Sequence, residues 1–104
     1  MTNDAAPDLA GLCDDVAGEL DEVTRSADGD LVVYSRRGTV FGRVSGSRLE
    51  VRLPVDIADA ALRTTDTAAG PEPGWIRFAP TNDERHVIDR AIAWFQTAWR
   101  HAGK

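Results

Sequence analysis

Apolar residues recur at two different spacings along this chain, and the change of spacing divides it. Leu9, Leu12, Cys13, Val16, Leu20 and Val23 return at three- and four-residue steps, which predicts one apolar stripe on a helix from about Pro7 to Thr24. Pro7 suits a first helical turn, and the other faces carry Asp8, Asp14, Asp15, Glu19, Asp21 and Glu22. Ala27-Asp28-Gly29-Asp30 has the composition of a turn. Beyond it the spacing shortens to two. Asp30 to Arg36, Thr39 to Ser45 and Arg48 to Leu53 read as strands joined by the two-residue turns Arg37-Gly38 and Gly46-Ser47.

Turns that short predict a register. With Arg37-Gly38 as the first turn, Arg36 faces Thr39, Tyr34 faces Phe41, Val33 faces Gly42 and Leu31 faces Val44. With Gly46-Ser47 as the second, Val44 faces Leu49, Arg43 faces Glu50, Phe41 faces Arg52 and Val40 faces Leu53. Both hairpins sort the residues alike. Leu31, Val33, Val40, Val44, Leu49, Val51 and Leu53 are expected on a core face, and Tyr34, Arg36, Phe41, Arg43, Arg48 and Arg52 on the opposite one.

Asp56 and Asp59 after Pro54-Val55 resemble the opening of a short helix through Ile57, Ala61 and Leu62. Arg63 to Gly74 reads as a loop, first threonine-rich and then stiffened by Pro71 and Pro73. Trp75 to Ala79 alternates as a fourth strand, with Ile76 and Phe78 inward and Trp75 and Arg77 joining the aromatic and arginine face. Pro80-Thr81-Asn82-Asp83-Glu84 supplies the start of a last helix to about Ala102. Its apolar arc includes Val87, Ile88, Ala91, Ile92, Phe95, Ala98 and Trp99, with Trp94 half-buried at one edge. The expected class is α+β: helix, three-stranded antiparallel meander, short helix, fourth strand and C-terminal helix, with the helices on one face of the sheet.

Composition narrows the function more than the fold. The 104 residues allow one domain, over 7–104, after a disordered start at 1–6. A formal charge of −5 opposes indiscriminate binding to DNA or anionic membranes, so any anion must be met by a local cationic face. No stretch approaches the ~20 apolar residues of a membrane span, and no apolar leader precedes the first helix. Cys13 has no second cysteine to pair with, in keeping with a reducing compartment, so a cytoplasmic protein is expected.

Candidate chemistry is sparse. Tyr34, Phe41 and Trp75 on an open sheet face would stack bases, while Arg36, Arg43, Arg48, Arg52 and Arg77 would hold phosphates or another anion. Ordinary cross-strand pairs, such as Arg43 with Glu50, explain the same residues. Asp15, Glu19 and Glu22 would lie one helical turn apart and offer oxygen ligands to a divalent cation, or serve only solubility. His86 and His101 are some four turns apart on one helix and cannot share an ion within a chain. Cys13 falls on the apolar stripe, and no nucleophile turn of the form G-x-S-x-G occurs. The expectation is a module without catalytic residues, cofactor or metal. Its partner is a nucleic acid or a protein, and as a monomer or weak homodimer it has Trp94 on the last helix as its self-association surface.

Taken in order, Val40-Phe41-Gly42-Arg43-Val44, Arg52-Leu53-Pro54, the helix Asp56 to Leu62, Gly74-Trp75-Ile76-Arg77-Phe78, and Trp94-Phe95 to Ala98-Trp99 resemble the small MmcQ/YjbR-like proteins. They are also similar to the short "luciferase domain" proteins of unassigned function. The resemblance covers roughly 28–102. It implies a YjbR-like α+β fold, loosely like frataxin and the amino-terminal domain of TfoX, in a group where DNA binding has been suggested for some members.

Overall fold

A computed structural model describes residues 6–104, so the expected disordered start lies almost wholly outside the described residues. The chain runs α1 (Leu9–Ala17), β1 (Val23–Asp28), β2 (Leu31–Arg36), β3 (Thr39–Ser45), β4 (Arg48–Arg52), α2 (Val55–Ala61), β5 (Thr67–Ala69), β6 (Trp75–Phe78) and α3 (Arg85–Ala102). The strands form one antiparallel sheet in the order β1-β2-β3-β4-β6-β5. α1 and α3 pack on one face of it, and Ala58 and Ala61 of α2 join the same buried cluster. The α+β class and the order of helices and meander are as expected from the sequence.

Two edge strands are additional. The first helix begins after Asp8, whose carboxylate accepts from the Gly11 amide at 3.1 Å, and stops at Ala17 rather than Thr24. Gly18 is unfavourable in a helix interior, and Glu22 takes a left-handed φ of 63°, which turns Val23 into β1. β1 is exposed along nearly its whole length and lacks the apolar alternation that marks a strand. β5 is three residues, Thr-Ala-Ala, inside the expected loop. The chain crosses over β6 through α2 to place it there, and the Thr67 hydroxyl donates to the carbonyls of Ala61 and Thr64 at 3.0 and 2.8 Å.

Both short turns are where the sequence puts them. Arg37 and Gly38 have φ of 52° and 83°, the paired positive values of the tightest hairpin turn, and Gly46 supplies a φ of 60° to the next. β3 and β4 pair as expected, Arg43 with Glu50 and Val44 with Leu49. β2 and β3 do not. Arg36 faces Thr39 and Ser35 faces Val40, but the ladder then shifts, so that Tyr34 faces Gly42, with Phe41 as the extra residue of a β-bulge.

That one residue exchanges the faces of β2 and of the start of β3. Val32, Tyr34 and Phe41 are buried, whereas Leu31 is 38% exposed and Val33 and Val40 are half-buried on the outer face. The cause is aromatic packing with Phe95 of α3. Its ring lies 5.1 Å from Tyr34 and 5.3 Å from Phe41, edge-on to both, and a Cβ at Gly42 would come within 3.3 Å of it. The bulge puts Phe41 and the side-chain-free Gly42 on the same side, which makes room for that ring.

Candidate functional site

With α1 and α3 on one side, the other side of the sheet has no helical cover. Its central strands β3, β4 and β6 direct Arg43, Arg48, Glu50, Arg52, Trp75 and Arg77 outward, in the rows Arg43–Glu50–Arg77 and Arg52–Trp75. Four guanidinium groups and one carboxylate thus stand on the outer side of these strands. Glu50 takes two hydrogen bonds from Arg77, at 3.1 and 3.2 Å, and lies 3.9 Å from Arg43. Arg48 and Arg52, by contrast, are exposed and make no ion pair among the described residues. The guanidinium of Arg43 sits over the indole of Trp75, 4.5 Å from its centroid, a cation–π contact. The segment 70–74 passes against Trp75, whose carbonyl accepts from the Gly70 amide at 2.8 Å, and the residue is only 6% exposed.

The expected face therefore keeps five of its eight residues, Arg43, Arg48, Arg52, Trp75 and Arg77, and loses three. Tyr34 and Phe41 are fully buried beneath the sheet, because the bulge turns Phe41 inward and shifts its partner strand with it. Arg36 points to the helical side as well. It stacks on Trp99 at 4.0 Å, donates to the Trp99 carbonyl at 3.1 Å and pairs with Glu22 at 3.1 Å. Glu22 also holds Arg37 at 2.6 Å, and hydrogen bonds from Arg37 first and Arg36 second keep its carboxyl below the ordinary range.

The acidic ridge of Asp15, Glu19 and Glu22 does not form, since Glu19 and Glu22 lie beyond the end of α1. Among the described residues no group of three His, Cys, Asp or Glu side chains is placed to hold a metal ion. His86 and His101 both lie on α3, and His86 is near Glu84 at 3.3 Å. No helix of the described residues is long and apolar enough to cross a membrane.

Two features escaped the sequence reading. Tyr34, Asp14 and Arg25 form a clamp between α1, β1 and β2, in which the tyrosine hydroxyl and Arg25 Nε, at 2.8 Å, both donate to Asp14 Oδ1. Hydrogen bonding to Arg25, then to Tyr34, lowers the Asp14 pKa, while burial first and Asp14 second raise that of Tyr34. Cys13 beside it is buried, chiefly by which its thiol is pushed up to about 12. The second feature is on α2. Val55, Ile57 and Leu62 are exposed, and Val55 and Leu62 border a groove of about 410 Å³ closed on its far side by Pro71 and Pro73. Only the pattern Ala58/Ala61, two small residues three apart, signals which way that helix faces.

The aromatic residues of α3 are engaged within the chain. Trp94 packs edge-on to Phe78 at 5.1 Å, and the Trp99 indole N–H donates to the Asp21 carbonyl at 2.8 Å. No family model, curated protein or solved structure matches this chain.

Proposed function

We propose that the protein is a non-catalytic binding module that takes an acidic protein segment on the open face of its sheet. The observation that carries this reading is the concentration of Arg43, Arg48, Arg52 and Arg77 around the single carboxylate of Glu50, in a chain whose net charge is −5. Positive charge gathered on one face of an acidic molecule steers an anionic partner to that face alone. Leu31, Val33 and Val40 add an apolar margin on the β2 and β3 side, which a solvated protein segment covers better than a phosphate backbone does.

Nucleic acid is the second form of the same reading. Its guanidinium contacts are available, but Tyr34 and Phe41 lie in the core and Trp75 is capped by Arg43, so no aromatic platform is left for bases. The acidic segment is favoured for that reason. Self-association through Trp94 is less favoured because its ring packs edge-on to Phe78 and is half-buried within the chain.

The test is a titration with poly-glutamate and, in parallel, a single-stranded oligonucleotide at low ionic strength. Poly-glutamate binds more tightly, salt weakens it, and Arg48→Glu together with Arg52→Glu abolishes it while thermal unfolding is unchanged. Tighter binding of the oligonucleotide would replace the acidic segment by nucleic acid. No binding of either would refute the role of this face.

A further inference from the structure

Between the strap at 70–74 and the start of β3 the outer face is not flat. A trough of about 320 Å³ opens there, walled by Thr39, Val40, Arg43, Arg52, Pro73 and Trp75. We propose that this trough is a subsite for a single carboxylate carried next to an apolar group. The inference rests on the outer face being the binding surface and gives that surface its most selective point.

Three observations make the assignment. Arg52 has no ion-pair partner among the described residues, and its neighbour across the ladder is Trp75, so its guanidinium stands free beside an apolar wall. Arg43 is held over that wall at 4.5 Å from the indole centroid and only loosely by Glu50 at 3.9 Å, so it presents a second, pre-positioned guanidinium. Two guanidinium groups lining one trough supply donors for the two oxygens of a carboxylate, and planar donors of this kind make the stronger charge-assisted hydrogen bonds. Val40 and Pro73 offer the adjoining apolar surface, while the Thr39 hydroxyl is a further polar group of the wall.

Glu72 also borders the trough and sets the charge of its ligand. Two arginines and one glutamate leave a single net positive charge, which matches a monoanion and disfavours a phosphate dianion. The volume suits a few carbon atoms beyond the carboxylate, the size of one amino-acid side chain or of a peptide's last residue. The carboxylate has two sources in a protein partner, a Glu or Asp side chain or a free C-terminus, and both share this chemistry.

The experiment uses the full chain and follows the indole N–H resonance of Trp75, identified by its absence in Trp75→Phe, during titration with hexanoate, hexanamide and inorganic phosphate. Hexanoate shifts the resonance saturably. Hexanamide and phosphate bind at least ~10-fold more weakly, the loss expected for one charge-assisted pair. Arg52→Gln, an exposed and unpaired position, removes the hexanoate response and leaves the rest of the spectrum in place. A peptide ending in a free apolar residue, compared with its C-terminal amide and with a glutamate-containing amidated peptide, distinguishes the two sources. Equal binding of hexanoate and hexanamide, or an unaltered response in Arg52→Gln, would overturn the subsite. If poly-glutamate still binds in that case, the face survives without the trough, whereas loss of both removes the two readings together.

Discussion

Truncating Phe41 to alanine separates the two possible registers of β2 and β3 more sharply than any other single change. On a regular hairpin Phe41 would stand on the solvent face, and its loss would cost under ~1 kcal/mol. In the bulged ladder its ring is fully buried, 5.3 Å from Phe95 and 6.4 Å from Tyr34. Removal of a buried phenylalanine costs about 3–5 kcal/mol, a term that includes the cavity left behind and the lost edge-on contact with Phe95. Against a total stability of about 5–15 kcal/mol, that is a large share. In a domain of this size, each kcal/mol lowers Tm by roughly 4–8 °C, so a fall of ~12 °C or more is expected. Val40→Ala provides the matched control, because Val40 is half-buried on the outer face and should cost no more than about 1 kcal/mol. Urea denaturation followed by far-UV circular dichroism measures both, with an unchanged slope showing that the unfolded state is the same. A Phe41→Ala variant no less stable than Val40→Ala would refute the bulge, and with it the assignment of the outer face.

The remaining predictions concern protonation and reactivity. The Asp14 carboxyl is lowered from its ordinary 3.8, chiefly by Arg25, so the clamp is fully stabilising above that value and is lost as pH falls through the lower folded one. The Tm difference between wild type and Asp14→Asn should therefore be constant near neutrality and shrink below the ordinary carboxylate range; a difference independent of pH down to full protonation would argue against the clamp. Cys13, with its thiol pushed up to about 12 mainly by burial, should react with an aromatic disulfide reagent only as fast as the protein opens. Rapid labelling of the native protein would show that α1 does not cover it.

The residues that were legible in the sequence are those governed by their nearest neighbours. Arg37-Gly38 and Gly46 adopt positive φ whatever packs above them, and the alternation of Leu49, Val51, Ile76 and Phe78 marks the same core face in the sequence and in the structure. Arg43, Arg48, Arg52, Trp75 and Arg77 were placed outward by that alternation, and they remain there. β1 and β5 were not legible because an edge strand is held by backbone hydrogen bonds to one neighbour, and its side chains need carry no pattern. The helical spacing of Leu20 and Val23 is real but belongs to residues that pack on the core from a turn and a strand. Phe41 is the clearest case of a position decided from a distance. Whether β3 takes one residue more than β2 depends on the volume between them and α3, and that volume is filled by Phe95, a residue more than fifty positions further along the chain. Local sequence set the turns and the arginine rows, and only the packing of the last helix determined that the aromatics beside them would face inward, leaving a cationic surface without a stacking platform.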